Sequence, residues 1–191
     1  MKVGLFFGSF NPIHIGHLII ANFMVDQTEL GQVWFVVSPQ NPFKEKKSLA
    51  KDSERLYMVN IAIEDNPKLR SSSIEFGLPK PSYTIDTLTH LKEKHPQHDF
   101  SLIMGGDNLK TFHKWKNFEL ILRDYYMMVY MRPDYDAGEL QSHERVTLFD
   151  APQMHISASY IRRCIASGYS IRYLVPESVY HHIEGSSLYK P

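Results

Sequence analysis

The chain has 191 residues, a formal net charge of +0 and a single cysteine, Cys164. That length suits one domain built on a sheet of about five or six strands, and the charge balance gives no bulk attraction to nucleic acid or to a membrane surface. The lone cysteine excludes an internal disulfide and fits a reducing compartment, no apolar run is long enough to span a bilayer, and residues 1–7 run straight into a strand without a leader, so a cytoplasmic protein is expected.

Residues 3–7 form a short apolar run, read as a buried strand. A helix is expected from about 14 to 28, ended by Gly31, and residues 33–37 are the second strand. A strand, helix and strand in so short a span imply a right-handed crossover and parallel pairing. Residues 38–47 carry two prolines and several lysines and read as an exposed loop leaving the carboxyl end of strand two, the edge where open α/β sheets bind ligands. Asp52 or Ser53 caps a helix over 54–65 whose inner side is drawn from Leu56, Val59, Ile61 and Ile63. Residues 69–76 read as an irregular third strand. Ser82-Tyr83-Thr84 opens a helix over 85–94, and 100–104 is the fourth strand, closed by Gly105-Gly106-Asp107. Short helices over 108–112 and 118–123 precede strands at 126–130 and 146–149, with a polar excursion over 134–144 between those two. Ser157 or Ser159 caps a helix to about 167, Pro176 begins a last helix to about 183, and the tail from Gly185 is expected to fray. The pattern is that of an α/β fold: a Rossmann-like, open, mainly parallel sheet with helices on both faces, a single domain over 1–191 with a small C-terminal helical part from about 155.

Between the first strand and helix stands Gly8-Ser9-Phe10-Asn11-Pro12-Ile13-His14-Ile15-Gly16-His17. A strand-to-helix turn presents free backbone N–H groups, and the helix dipole adds positive potential, so this is a natural seat for phosphate. Gly8 lets a ligand approach the backbone closely. His14 and His17, three apart, share a helical face at the positive end and can both donate to phosphate oxygens. For a bare pair of histidines, capping or packing is the alternative. No cysteine or third histidine stands near enough to complete a zinc site, so no protein-bound metal is expected there.

The run Gly8-x-Phe10-x-Pro12-x-His14-x-Gly16-His17 resembles the signature of the nucleotidylyltransferase superfamily, related to the HIGH motif of class I aminoacyl-tRNA synthetases. Alone it implies nucleotidyl transfer from a nucleoside triphosphate and leaves the acceptor open. Ser38-Pro39-x-x-Pro42-Phe43-Lys44, Pro81-Ser82-Tyr83-Thr84-Ile85-Asp86-Thr87-Leu88, Gly105-Gly106-Asp107-Asn108-Leu109 with Phe112 and Trp115, Arg132-Pro133, Ile156-Ser157-Ala158-Ser159-x-x-Arg162 and Tyr173-Leu174-Val175-Pro176 follow in order. Together they resemble the bacterial nicotinate mononucleotide adenylyltransferases over almost the whole chain. Phe43 stands where that family usually has histidine, Ser9 and Asn11 where it has Thr and Asp, and Asp134 where glycine follows Arg-Pro.

The resemblance implies AMP transfer from ATP to nicotinate mononucleotide, with Mg2+ carried on ATP. The ATP side would comprise Gly8, Ser9, Phe10, His14, His17, Gly105, Asp107, Ser157, Ser159 and Arg162. The acceptor side would comprise Asn11, Lys44, Ser82, Tyr83, Thr84, Trp115 and Arg132. His14, His17, Lys44 and Arg162 are the expected catalytic groups. Residue chemistry agrees while leaving alternatives. Arg162, one turn into its helix, can fork onto phosphate, or the serines can simply cap that helix. Asp107 can take ribose hydroxyls or cap the next helix. Trp115 can stack a pyridine ring or pack inward. The helix start at Ser82 to Ile85 favours a carboxylate over an amide, or is plainly capped. The attacking phosphate is already ionised, so no general base is needed and none is evident. Rival readings are another adenylyltransferase of this fold, with a nicotinamide mononucleotide or phosphopantetheine acceptor, and a non-catalytic nucleotide-binding module. The oligomeric state is open, a homodimer included.

Overall fold

The protein is described here as a computed structural model covering residues 1–39, 49–131, 138–152 and 154–191. Elements run β1 (Lys2–Gly8), α1 (Ile15–Gln27), β2 (Gln32–Val37), α2 (Asp52–Ala62), β3 (Leu69–Ser72), α3 (Thr84–Lys94), β4 (Asp99–Gly105), α4 (Gly106–Lys110), α5 (Phe118–Asp124), β5 (Tyr126–Tyr130), β6 (Val146–Phe149), α6 (Ala158–Ala166) and α7 (Glu177–Glu184). The strands form one six-stranded sheet in the order β3-β2-β1-β4-β5-β6. Every pairing is parallel, so the expected mainly parallel sheet is wholly parallel among the described residues.

Alternation along each strand feeds two apolar layers. Leu5, Trp34, Val36, Leu102 and Val129 face one side and pack under α3, α4 and α5 through Leu88, Leu91, Leu109 and Ile121. Phe6, Phe35, Val37, Ile103 and Met128 face the other, under α1 and α2. Ile161 and Cys164 of α6 and Val179 and Ile183 of α7 join that second layer, so the C-terminal helices complete one face of the sheet. Among the described residues, no helix is long and apolar enough to cross a membrane.

The order reverses between β1 and β4, and this switch point is where an open α/β sheet leaves a crevice at its carboxyl edge. The loop after β1 and the Gly105-Gly106-Asp107 turn after β4 flank it.

Three expectations change. Residues 73–76 leave the sheet: β3 ends at Ser72 and a 3-10 turn occupies Ile74–Gly77, because Glu75 turns inward. Val59 and Ile63 are buried and Leu56 and Ile61 pack against the core as expected, but Arg55, Met58 and Ala62 join the inner side of α2, with Arg55 fully buried. The tail is not frayed, since Leu188 and Tyr189 pack against the core.

Candidate active site

The crevice is a cleft of about 470 Å3, lined by the β1–α1 loop, the start of α4, Trp115 and the start of α6. The structure brings eleven expected residues to it: Gly8, Ser9, Phe10, Asn11, His14, His17, Asp107, Trp115, Ser157, Ser159 and Arg162. Gly105 sits beneath, ending β4. Lys44 and Arg132 lie outside the described residues, as does Phe43. Ser82, Tyr83 and Thr84 are not part of that lining.

The loop is built around Phe10. Its φ of +43° is a left-handed conformation that a side-chain-bearing residue adopts only when its surroundings impose it. Here the ring is the cause. It is 2 % exposed and meets Phe6, Phe35 and His17 edge-on, at centroid distances of 5.9, 5.3 and 5.1 Å. Phe10 is therefore a wedge under the loop as well as part of the cleft lining. It also explains Gly8. A Cβ there would lie 2.8 Å from the Phe10 ring, so glycine is required by this packing before any ligand arrives.

His14 is the N-cap of α1, and the helix starts one residue later than expected. The rings of His14 and His17 stack at 3.6 Å. His17 Nδ1 accepts the backbone N–H of His14 at 3.2 Å, which requires that nitrogen to be unprotonated and leaves Nε2–H as the donor.

Arg162 reaches across from α6. One guanidinium nitrogen donates to the Asn11 carbonyl at 2.7 Å and another to Ser159 Oγ at 3.3 Å. These bonds hold the fork at the cleft edge with further N–H groups to offer. Ser157 Oγ accepts from the Tyr160 N–H at 3.2 Å, so this serine caps α6 and lines the cleft at once. Opposite, Asp107 Oδ1 is buried without a hydrogen-bond partner among the described residues. A buried, unsatisfied acceptor on a cleft wall is suited to a ligand hydroxyl. Trp115 is half-buried, with one part against Phe112 at 5.1 Å and another on the cleft.

Two residues expected on the acceptor side have their side-chain oxygens bonded within the protein. The Asn11 side chain is 2 % exposed, and its Oδ1 accepts from Ala50 N–H at 3.1 Å and Tyr189 O–H at 2.7 Å. That oxygen faces the protein. Ser82 is buried, and its hydroxyl donates to Glu75 Oε2 at 2.9 Å, while Thr87 donates to Oε1 at 2.8 Å. Burial pushes the Glu75 carboxyl above its ordinary range, with these hydroxyl bonds opposing the shift. Ser82 thus anchors the start of α3. The N-cap there is Tyr83, with no side-chain cap. Lys116 lies over the Tyr83 ring at 4.7 Å and pairs with Asp86 at 3.0 Å, countering the one acidic group in the first turn.

Arg55 was not expected. It donates to the carbonyls of Ala50, Ser9, Ser38 and Pro39 and to Asp52 Oδ1. Burial raises the Asp52 carboxyl, but hydrogen bonds and charge from Lys80 and Arg55 outweigh it and hold Asp52 below its ordinary value. The guanidinium ties the β1 loop to the end of β2. Its signal in the sequence was a charged residue on the inner stripe of a helix.

A model of the cytidylyltransferase-like family matches residues 5–164. Relatives named "probable nicotinate-nucleotide adenylyltransferase" include a Cytophaga hutchinsonii protein, 57% identical over 94% of this chain and 93% of its own, and a Flavobacterium johnsoniae protein, 51% identical over 100% of both. The chain belongs to the nicotinate-nucleotide adenylyltransferase family. Its fold matches solved family structures far away in sequence. The Plasmodium falciparum nicotinic acid mononucleotide adenylyltransferase complexed with NaAD gives a TM-score of 0.83 at 21% identity, covering 98% of this chain and 97% of that one. The same enzyme complexed with APC gives 0.82 at 20%, covering 98% and 96%.

Proposed function

We infer that this cytoplasmic protein transfers AMP from ATP to nicotinate mononucleotide, releasing pyrophosphate and forming nicotinate adenine dinucleotide in NAD biosynthesis, with the whole length acting as one domain. The observation that carries the reading is the bond from Arg162 to the Asn11 carbonyl, which joins the two phosphate-facing elements across one cleft. Curated relatives at up to 57% identity supply the acceptor.

The acceptor's phosphate oxygen attacks the α-phosphorus of ATP, and pyrophosphate leaves. That oxygen is ionised near neutral pH, so catalysis consists of alignment in line and stabilisation of the charge that develops. His17 Nε2–H and the start of α1 would face the reacting phosphate, and the Arg162 fork the triphosphate oxygens. Lys44 and His14 would add positive potential. Asp107 Oδ1 would accept a ribose hydroxyl, and Trp115 would stack the pyridine. The uncapped start of α3, with Lys116 offsetting Asp86, would favour the nicotinate carboxylate.

Among the described residues no group of three or more His, Cys, Asp or Glu side chains could hold a metal ion. Mg2+ would enter with the triphosphate, water completing its shell. So bound, it neutralises phosphate charge.

Pyrophosphate release from ATP and Mg2+, measured across a panel of mononucleotide and phosphopantetheine acceptors, tests the reading. Release is expected with nicotinate mononucleotide. Release with none of them would identify a binding module, and release with phosphopantetheine alone a different adenylyltransferase.

A further inference from the structure

Residues 185–191, expected to fray, are folded back onto the site. After α7, Ser186 Oγ donates to the Ile183 carbonyl at 3.0 Å, and Leu188 N–H donates to Ser186 Oγ at 3.1 Å. Lys190 Nζ closes on the Glu184 carbonyl at 2.9 Å. In this turn Tyr189 holds φ at +62°, a left-handed conformation that contacts must impose on a tyrosine. Its ring packs against the core layer beneath α1 and α2. Its hydroxyl donates to Asn11 Oδ1 at 2.7 Å, a bond between residues 178 apart in sequence.

Asn11 is the point where three distant segments meet. Tyr189 and the Ala50 N–H share its side-chain oxygen, and Arg162 takes its main-chain carbonyl. It directly follows the left-handed Phe10, whose ring touches His17. A shift of Asn11 therefore moves both the loop that carries the histidines and the carbonyl that aims Arg162. Burial holds the Tyr189 phenol above its ordinary range against the opposing charges of Arg162 and Arg55, so the hydroxyl stays a donor across neutral pH.

We propose that Tyr189 is a positioning residue of the phosphate site, whose hydroxyl fixes Asn11 and through it Arg162 and the loop bearing His14 and His17. The proposal rests on the adenylyl-transfer reading above. Tyr189→Phe keeps the packed ring and removes only the hydroxyl. One net hydrogen bond of alignment corresponds to a fall in kcat of about threefold to tenfold. Because a misaligned site still binds triphosphate, KM for ATP should change by less than about twofold. The experiment measures kcat, KM and amide hydrogen exchange on wild-type protein and Tyr189→Phe. The expected result is that kcat loss, with faster exchange confined to the 9–17 loop and the start of α6. A kcat within about threefold of wild type overturns the proposal, and so does a larger loss with exchange accelerated throughout the sheet. If the wild-type protein makes no dinucleotide, the functional reading fails instead, and the exchange pattern alone then decides whether Tyr189 fixes the loop.

Discussion

His17 is set up for one job by its neighbours. Its Nδ1 is used by the His14 backbone, its ring is stacked on His14 and edged by Phe10, and so its Nε2–H has one direction in which to donate. A donor fixed in this way interacts more strongly with developing charge than with bound ATP. His17→Ala is expected to lower kcat by about a hundredfold or more while KM for ATP changes by less than about threefold. Near wild-type kcat in steady-state assays would remove His17 from the reacting phosphate. Gly105 gives a second test at this scale. Its φ of −80° and ψ of 157° suit alanine, but a Cβ there would lie 2.5 Å from Asp107 Oδ1. Gly105→Ala should therefore push Asp107 out of place without straining the backbone, while the Tyr130 ring, 3.2 Å from that Cβ, gives by a few tenths of an ångström. KM for ATP is expected to rise by about tenfold with little change in melting temperature. An unchanged KM would mean that Asp107 does not hold the nucleotide.

At the level of elements, the β1 loop is held by α2 through Arg55 and by α6 through Arg162. Arg55 is fully buried, with main-chain carbonyls and Asp52 around it. Removing one partner of a buried charge network leaves the others unsatisfied, so Arg55→Met is expected to cost on the order of 3 kcal/mol. For a chain of this size that is a fall in melting temperature of about 6–12 °C, measured by thermal unfolding. A melting temperature equal to wild type would show that the carbonyls find other donors. The sequence made some elements readable and hid others for physical reasons. Strands β5 and β6 were legible to the residue, because each is a short, largely apolar run opened and closed by β-branched or aromatic residues and set between polar segments. Strand β3 was overextended, because Ile74 and Phe76 continue its apolar pattern while Glu75 turns inward to Ser82 and Thr87. On α2 the apolar side was read but Arg55 on its inner side was not, because a buried arginine looks like a solvent residue until its carbonyl cage is seen.

Over the whole molecule, much of the cleft lining was legible because it sits in two local runs, one in the β1–α1 loop and one at the start of α6. What binds those runs together was not, because Arg55, Asn11 and Tyr189 meet only through long-range folding. The side-chain oxygens of Asn11 at the cleft and of Ser82 at the start of α3 bond within the protein. The acceptor side rests on charge more than on shape. Nicotinate and nicotinamide rings are nearly congruent, and stacking on Trp115 cannot separate them. The uncapped start of α3, as proposed, would, since a carboxylate would accept from its N–H groups through both oxygens, whereas an amide would turn a donor toward them. Facing donor to donor costs about 1–3 kcal/mol, and lost charge-assisted bonding adds to it. The most direct measurement is a competition: equimolar nicotinate and nicotinamide mononucleotides, limiting ATP with Mg2+, and the two dinucleotide products separated and quantified. The acid product is expected to exceed the amide product by at least about a hundredfold. Comparable amounts of the two would contradict the account.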